Sequence, residues 1–354
     1  MVAPAFARRA FLGQTLAVGG LAFLPGVCPR FRADRTPAGA RGAADGPGPD
    51  CQHQQGHHGG VRIAVGRAFP SESRRQGIGP APVAGTGRFD PLFESARIAK
   101  ATGQALPLGP DQIVRHMLAQ PLQFDPGSRF AYSNFGYCLL GRVIERVAGT
   151  DYQCHVKRQA LESLGIHRLR LGHTLADCRA PTEVRYHDDR ERRAAAAVGP
   201  IGARVPLAYG AWSLEALDAG GGWLASAVDL VRFASAFDDP AACPVLQPAS
   251  IATMFARPLG PAGAEAGGNY PGSGWFVWPE SRHPHRAHTT VNGLLVGASS
   301  YLMRRRDGVN WAVVFNAAFA PDGTPLMLRF RDRSAAIFAD LKTWPQMDHF
   351  PSLS

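Results

Sequence analysis

Apolar residues along this chain fall into regular periods only from residue 89 onward. Pro110 to Ala119 carries Ile113, Val114, Met117 and Leu118 on one face, with Pro110 suited to the first helical position. Phe124-Asp125-Pro126-Gly127 reads as a turn. Asn134 to Val147 repeats Leu139, Leu140, Val143, Ile144 and Val147 along one stripe and stops at Gly149. A third helix is expected from Asp151 to Leu164, ended by Gly165. Ser226-Ala227-Val228-Asp229 has capping-box spacing and opens a helix through Phe237. Trp275 to Trp278 alternates like a strand, and Ala298–Arg305 and Asn310–Ala317 flank Asp307-Gly308 as a hairpin. Met327 to Leu341 is a terminal amphipathic helix. Central helices followed by a hairpin and a helix imply a mixed α/β (α+β) fold with an antiparallel sheet.

The first 88 residues behave differently. Arg8-Arg9 followed by Phe11-Leu12 and an apolar run to Val27 resembles a twin-arginine export signal, so residues 1–28 are expected to be a leader and the protein periplasmic or extracellular. Residues 29–88 are rich in Gly, Pro, Ala and Arg and hold no period of 2 or 3.6, apart from Val61–Val65, which suits a short strand. This stretch is expected to be disordered or a rearranged, out-of-frame translation. Residues 89–342 then form the folded domain, mainly helical over 89–240 and with strands and a terminal helix over 270–342, and 343–354 is a tail.

Charge follows the same division. The formal net charge is +10 over 354 residues, but residues 1–88 hold 11 Arg against 4 acidic residues, a net +7. The folded part is nearly neutral, and with no basic helix, zinc finger or aromatic RNA-binding motif, nucleic acid is excluded as a partner. Beyond the leader no apolar run approaches the roughly 20 residues of a membrane span, so no stable anchor is expected once the signal is removed. Cys51, His53, His57 and His58 lack a second ligand pair at finger spacing, and His283, His285 and His288 read as a His-rich loop, so no metal and no cofactor is expected. Lysine is the scarcest cation: Lys100, Lys157 and Lys342 are the only three, the other basic residues being Arg.

The run from Phe124 to Tyr137, with Pro126-Gly127, Tyr132-Ser133-Asn134 and Phe135-Gly136-Tyr137, resembles the serine β-lactamase-related family of the class C type, which includes D-Ala-D-Ala carboxypeptidases and esterases. Gly220-Gly221-Gly222-Trp223 through Leu230, and the final hairpin and helix, are similar to further family segments. The resemblance covers about residues 89–342. It implies a β-lactamase/transpeptidase-like fold, an antiparallel sheet flanked by helices plus a helical subdomain. It also implies acyl transfer, in which a Ser attacks an amide or ester carbonyl while a Lys one helical turn later takes its proton. By this resemblance Tyr132 is the catalytic proton relay, Asn134 orients the substrate amide and Ser133 is structural. The ligand is expected to be a small peptide, an ester or a β-lactam-like compound.

The sequence departs from that pattern at two of three motifs. Ser-x-x-Lys is absent, because Arg97, Cys154 and Ala339 stand three residues before the three lysines. Ser71 with Arg74 is the nearest imitation, and an Arg does not act as a base with a pKa above about 12. The third motif, Lys/His-x-Gly on a strand, matches Val291-Asn292-Gly293 by its glycine, which makes Asn292 and Gly293 substrate-binding candidates. A match by the histidine gives His288-Thr289-Thr290 and makes His288 a further candidate. The resemblance therefore points to a serine hydrolase that is catalytically impaired, with a non-catalytic periplasmic binding module or a truncated, frameshifted pseudoenzyme as the alternative. In this family N-terminal elements complete the sheet, so the N-terminal part of the sheet is expected to be incomplete.

Overall fold

The structure, a computed structural model, describes residues 61–62, 90–122, 124, 130–188, 190–259, 268–279, 287–341 and 343–344. The expectations for the twin-arginine leader, for Cys51, His53, His57 and His58, for Ser71 and Arg74, and for His283 and His285 lie outside these residues. So does most of the Phe124–Gly127 turn.

The elements run β1 (Val61–Arg62), α1 (Ser95–Thr102), α2 (Pro110–Leu118), α3 (Asn134–Ala148), α4 (Tyr152–Val156), β2 (Arg170–Leu171), β3 (Arg193–Ala195), β4 (Arg204–Pro206), α5 (Leu214–Leu217), β5 (Trp223–Ala225), α6 (Ala227–Ser235), α7 (Pro248–Phe255), β6 (Tyr270–Pro271), β7 (Phe276–Pro279), β8 (Ala287–Leu295), β9 (Ala298–Arg304), β10 (Asn310–Phe315) and α8 (Leu326–Ala339). The α4 segment continues through a π turn at Lys157–Leu161 and a 3-10 turn at Glu162–Leu164, so the helix expected to Leu164 is present but irregular.

Caps set the helix ends. Ser133 accepts from Gly136 N at 2.9 Å to start α3, and Gly149 ends it in the left-handed conformation at φ 64°, where a residue without Cβ is unstrained. Ser226 and Asp229 form the reciprocal capping box of α6, with Asp229 N donating to Ser226 Oγ at 3.1 Å and Ser226 N to Asp229 Oδ2 at 3.4 Å. Among the described residues no helix is long and apolar enough to cross a membrane.

The principal sheet is antiparallel in the order β10-β9-β8-β7-β6, and β10 and β6 are its edges among the described residues. A smaller sheet has the order β1-β5-β2, with Val61 opposite Ala225 and Arg62 opposite Leu224. Two residues of the Val61–Val65 stretch thus form a strand. Alternation divides the faces of β8. Val291 and Leu302, opposite one another, join a core with Tyr152, Trp223, Phe233 and Trp275 from the helical part. On the other face Tyr301 stacks on Trp311 with ring centroids 5.4 Å apart, and Met327 of α8 closes over them. A second core joins Leu92, Ile98, Ile113, Cys138, Trp212 and Leu217 to Leu295 at the end of β8.

Arg304 ties the helical part to the sheet. Its guanidinium donates to Ala234 O at 3.1 Å, Phe237 O at 2.8 Å, Asp238 Oδ1 at 3.0 Å and Thr289 Oγ1 at 3.2 Å. The fork geometry of Arg suits this use, because several donors leave one planar group in fixed directions.

Candidate functional site

The face of α3 that carries the site is read directly from helical spacing. Asn134, Cys138 and Arg142 stand four residues apart and project on one side, toward residues 216–220. Cys138 is fully buried with Sγ 3.5 Å from Ala216 O. Its thiol is pushed up to about 12, first by burial and next by the Asp218 charge. It is a packing residue.

Ser133, and not Asn134, caps the helix. Asn134 consequently turns its amide sideways. Its Oδ1 accepts from Tyr132 Oη, and its Nδ2 donates to Asp90 Oδ2 at 2.6 Å. Asp90 is 4% exposed and caps the 3-10 turn Pro91–Phe93, its Oδ1 accepting from Leu92 N at 3.0 Å. Burial holds the Asp90 carboxyl above the usual carboxylate range, opposed by the Asn134 and Leu92 hydrogen bonds and reinforced by the charge of Glu94.

The glycine run passes close to this group. A Cβ on Gly220 would lie 2.9 Å from the backbone oxygen of Asn134, so only a glycine lets the chain approach the first residue of α3 there. Two turns further along α3, Arg142 pairs with Asp218 and, at 2.8 Å, with Glu145. Asp218 is 4% exposed with φ 40°, and burial pushes its carboxyl up to about 7, a rise that the neighbouring Arg142 cation opposes. Trp223 Nε1 donates to Tyr152 Oη at 3.2 Å inside the core. Tyr137, on the next face of α3, is hydrogen-bonded to the Gly274 backbone, and burial pushes its hydroxyl up to about 12. That contact fixes α3 against the β6–β7 connection.

Tyr132 and Asn134 therefore stand in contact, and the strand candidates divide. Gly293 shares its face of β8 with Val291 and Leu295, the face that packs on the helical part. Asn292, 8% exposed, lies opposite Tyr301 on the α8 face. Asn292 and Gly293 thus lie on opposite faces of β8. His288 sits seven residues from Leu295, about 23 Å along an extended strand. Its Nδ1 accepts from Arg306 N at 3.2 Å, at the end of β8 remote from Leu295. Among the described residues no group of three or more His, Cys, Asp or Glu is placed to hold a metal ion.

Asp90 is the site residue that sequence reasoning missed. Asp-Pro marks a turn start, so its cap was legible. Its bond to Asn134, 44 positions away, was not.

The Beta-lactamase family model matches residues 84–335, well over half of the chain. The chain belongs to the Beta-lactamase family. Two solved structures agree on the fold. A penicillin binding protein from Bacillus halodurans is 18% identical with a TM-score of 0.50, over 73% of this chain and 70% of that one. A D-amino acid amidase from Ochrobactrum anthropi SV3, complexed with L-phenylalanine, is 19% identical with a TM-score of 0.50, over 66% of this chain and 65% of that one. The octameric penicillin-binding protein homologue from Pyrococcus abyssi is 21% identical with a TM-score of 0.48, over 70% of this chain, which spans only 52% of its length. Helices flanking an antiparallel sheet are the family's architecture, as the sequence pattern led us to expect.

Proposed function

We propose that this member of the Beta-lactamase family binds small amide- or ester-bearing ligands of the cell-wall peptide or β-lactam type and does not form an acyl-enzyme on a Ser–Lys pair. One observation carries the reading: no lysine in the 354 residues follows a serine by three positions. The family's route needs that lysine one turn from the nucleophile, where it shares the nucleophile's helix face. Loss of a nucleophile or its base typically removes several orders of magnitude of rate and leaves binding and residual electrostatic help. Arg side chains, which make up the rest of the basic residues, remain protonated and do not replace it.

What supports retained binding is the group at the start of α3. A phenol oxygen that donates its proton, as Tyr132 does to Asn134, still has acceptor capacity, and Asn134 has a second N–H beyond the one given to Asp90. These are polar groups of the kind that orient a peptide amide or ester. Titration calorimetry with a D-alanyl-D-alanine peptide tests the reading: saturable heat is expected, reduced by Asn134→Ala, and no binding at millimolar peptide would contradict it. An acyl-transferring serine hydrolase is the competing reading, favoured by Tyr132 and Asn134 standing in contact.

A further inference from the structure

We propose that Asp90 is a positioning residue that sets the direction of the hydrogen-bond chain at the site, so that Tyr132 commits its proton to Asn134 and has no hydroxyl donor left for a ligand. The inference takes its functional meaning from the reading of Tyr132 as a ligand-facing group, but its argument is independent of turnover.

The chain has three members whose options are unequal. An ionised carboxylate can only accept. Asp90 Oδ1 is already held by Leu92 N at 3.0 Å, and Oδ2 faces the Asn134 amide at 2.6 Å. The amide must therefore offer its nitrogen to Asp90. That leaves Oδ1 toward Tyr132, and an amide oxygen accepts only, so the phenol must donate. The two ends of an Asn side chain have nearly the same shape, and its orientation is settled by its partners. Of the two partners here, the phenol can donate or accept, and the carboxylate has no such choice. The Tyr132 proton is then committed to Asn134, so toward a ligand the phenol oxygen can act as an acceptor and not as a donor.

Asp90→Asn reverses this logic without changing shape. Leu92 N still needs an oxygen, so the substituted amide turns its oxygen to Leu92 and its nitrogen to Asn134. The Asn134 amide must then flip, and its nitrogen donates to Tyr132 Oη. The paired variant Asp90→Asn with Asn134→Asp restores the original direction, because the carboxylate introduced at the start of α3 accepts both from the amide introduced beside Leu92 and from Tyr132. An acidic residue in the first turn of α3 also suits the helix dipole.

The test is NMR of the unliganded protein with tyrosine labelled at 13Cζ, the Tyr132 signal being assigned by its loss in Tyr132→Phe. The signal is expected to move in Asp90→Asn and to return toward its native position in the paired variant. A signal that stays in place in Asp90→Asn, or that does not return in the paired variant, overturns the proposal. A second measurement needs no variant at Asp90. In the native protein one Asn134 side-chain N–H, assigned by its loss in Asn134→Asp, should be protected from exchange and should shift as the Asp90 carboxyl titrates. An Asn134 amide with two equally exchanging protons overturns the proposal even if Asp90→Asn does not fold. Neither measurement reads ligand binding, so failure of the calorimetric test and failure of this one are distinguishable.

Discussion

Ser133 lies in the motif that carries the family resemblance, and the structure gives it a purely local task. Its φ of −150° and ψ of 112° are extended, and its Oγ accepts from Gly136 N at 2.9 Å, closing one of the four backbone donors that α3 leaves open at its start. Removing such a cap costs about 1 kcal/mol, within a range of roughly 0.5–2. Ser133→Ala should therefore lower the unfolding free energy in urea by about 1 kcal/mol and the melting temperature by about 2–4 °C for a domain of this size. Ser133→Asp should recover most of that loss, since a carboxylate caps as well and suits the positive end of the helix. Ser133→Gly should cost only a few tenths of a kcal/mol. Urea denaturation followed by far-UV circular dichroism measures all three. Equal destabilisation by Ala and Asp, or no change in the Ala variant, would refute the capping role and reopen Ser133 as a reacting hydroxyl.

Asp218 predicts a dependence of stability on pH. Its carboxyl is raised from 3.8 to about 7 by burial, so the folded protein holds a proton there that the unfolded chain has released. Stability from this group is therefore full below about pH 4 and falls as pH rises toward about 7. Asp218→Asn should flatten that slope in urea titrations at pH 4–8, and an unchanged slope would count against the burial argument. Gly220→Ala should destabilise by about 1–3 kcal/mol, because the added methyl meets the Asn134 carbonyl at 2.9 Å. Its urea midpoint should fall, and a midpoint equal to the native one would show that the glycine is not needed for the close approach.

The regular elements were legible because their signals are local. The α3 span, the Ser226–Asp229 box and the β9–β10 hairpin each follow from spacing or turn chemistry within a few residues and stand where expected, although of the expected α3 stripe only Ile144 is fully buried and Val147 is exposed. α1 and α7 were missed. Ser95–Thr102 has little apolar content to set a period, and its order comes from Ile98 and Ala99 packing in one core with Leu92 and Ile113. Pro248–Phe255 is short and is held by Ile251 and Met254 in the main core. The site divided in the same way. Tyr132 and Asn134 are candidates that contiguous sequence supplies. Asp90 was not, because burial and a contact across 44 positions define it. Asn292 and Gly293 are neighbours in sequence but lie on opposite faces of β8, because adjacent positions alternate along a strand. His288 lies on the same strand five residues before Gly293, and nearness in sequence there is distance along the strand.

The central claim is that the chain keeps the family's architecture and the Tyr132–Asn134 group without an acyl-enzyme-forming serine. Its most direct test is intact-protein mass spectrometry after exposure to a serine-reactive acylating probe of the β-lactam or fluorophosphonate type. The account predicts the unmodified mass after prolonged exposure. A stoichiometric adduct on a serine, abolished by substituting that serine and leaving the fold intact, would contradict it.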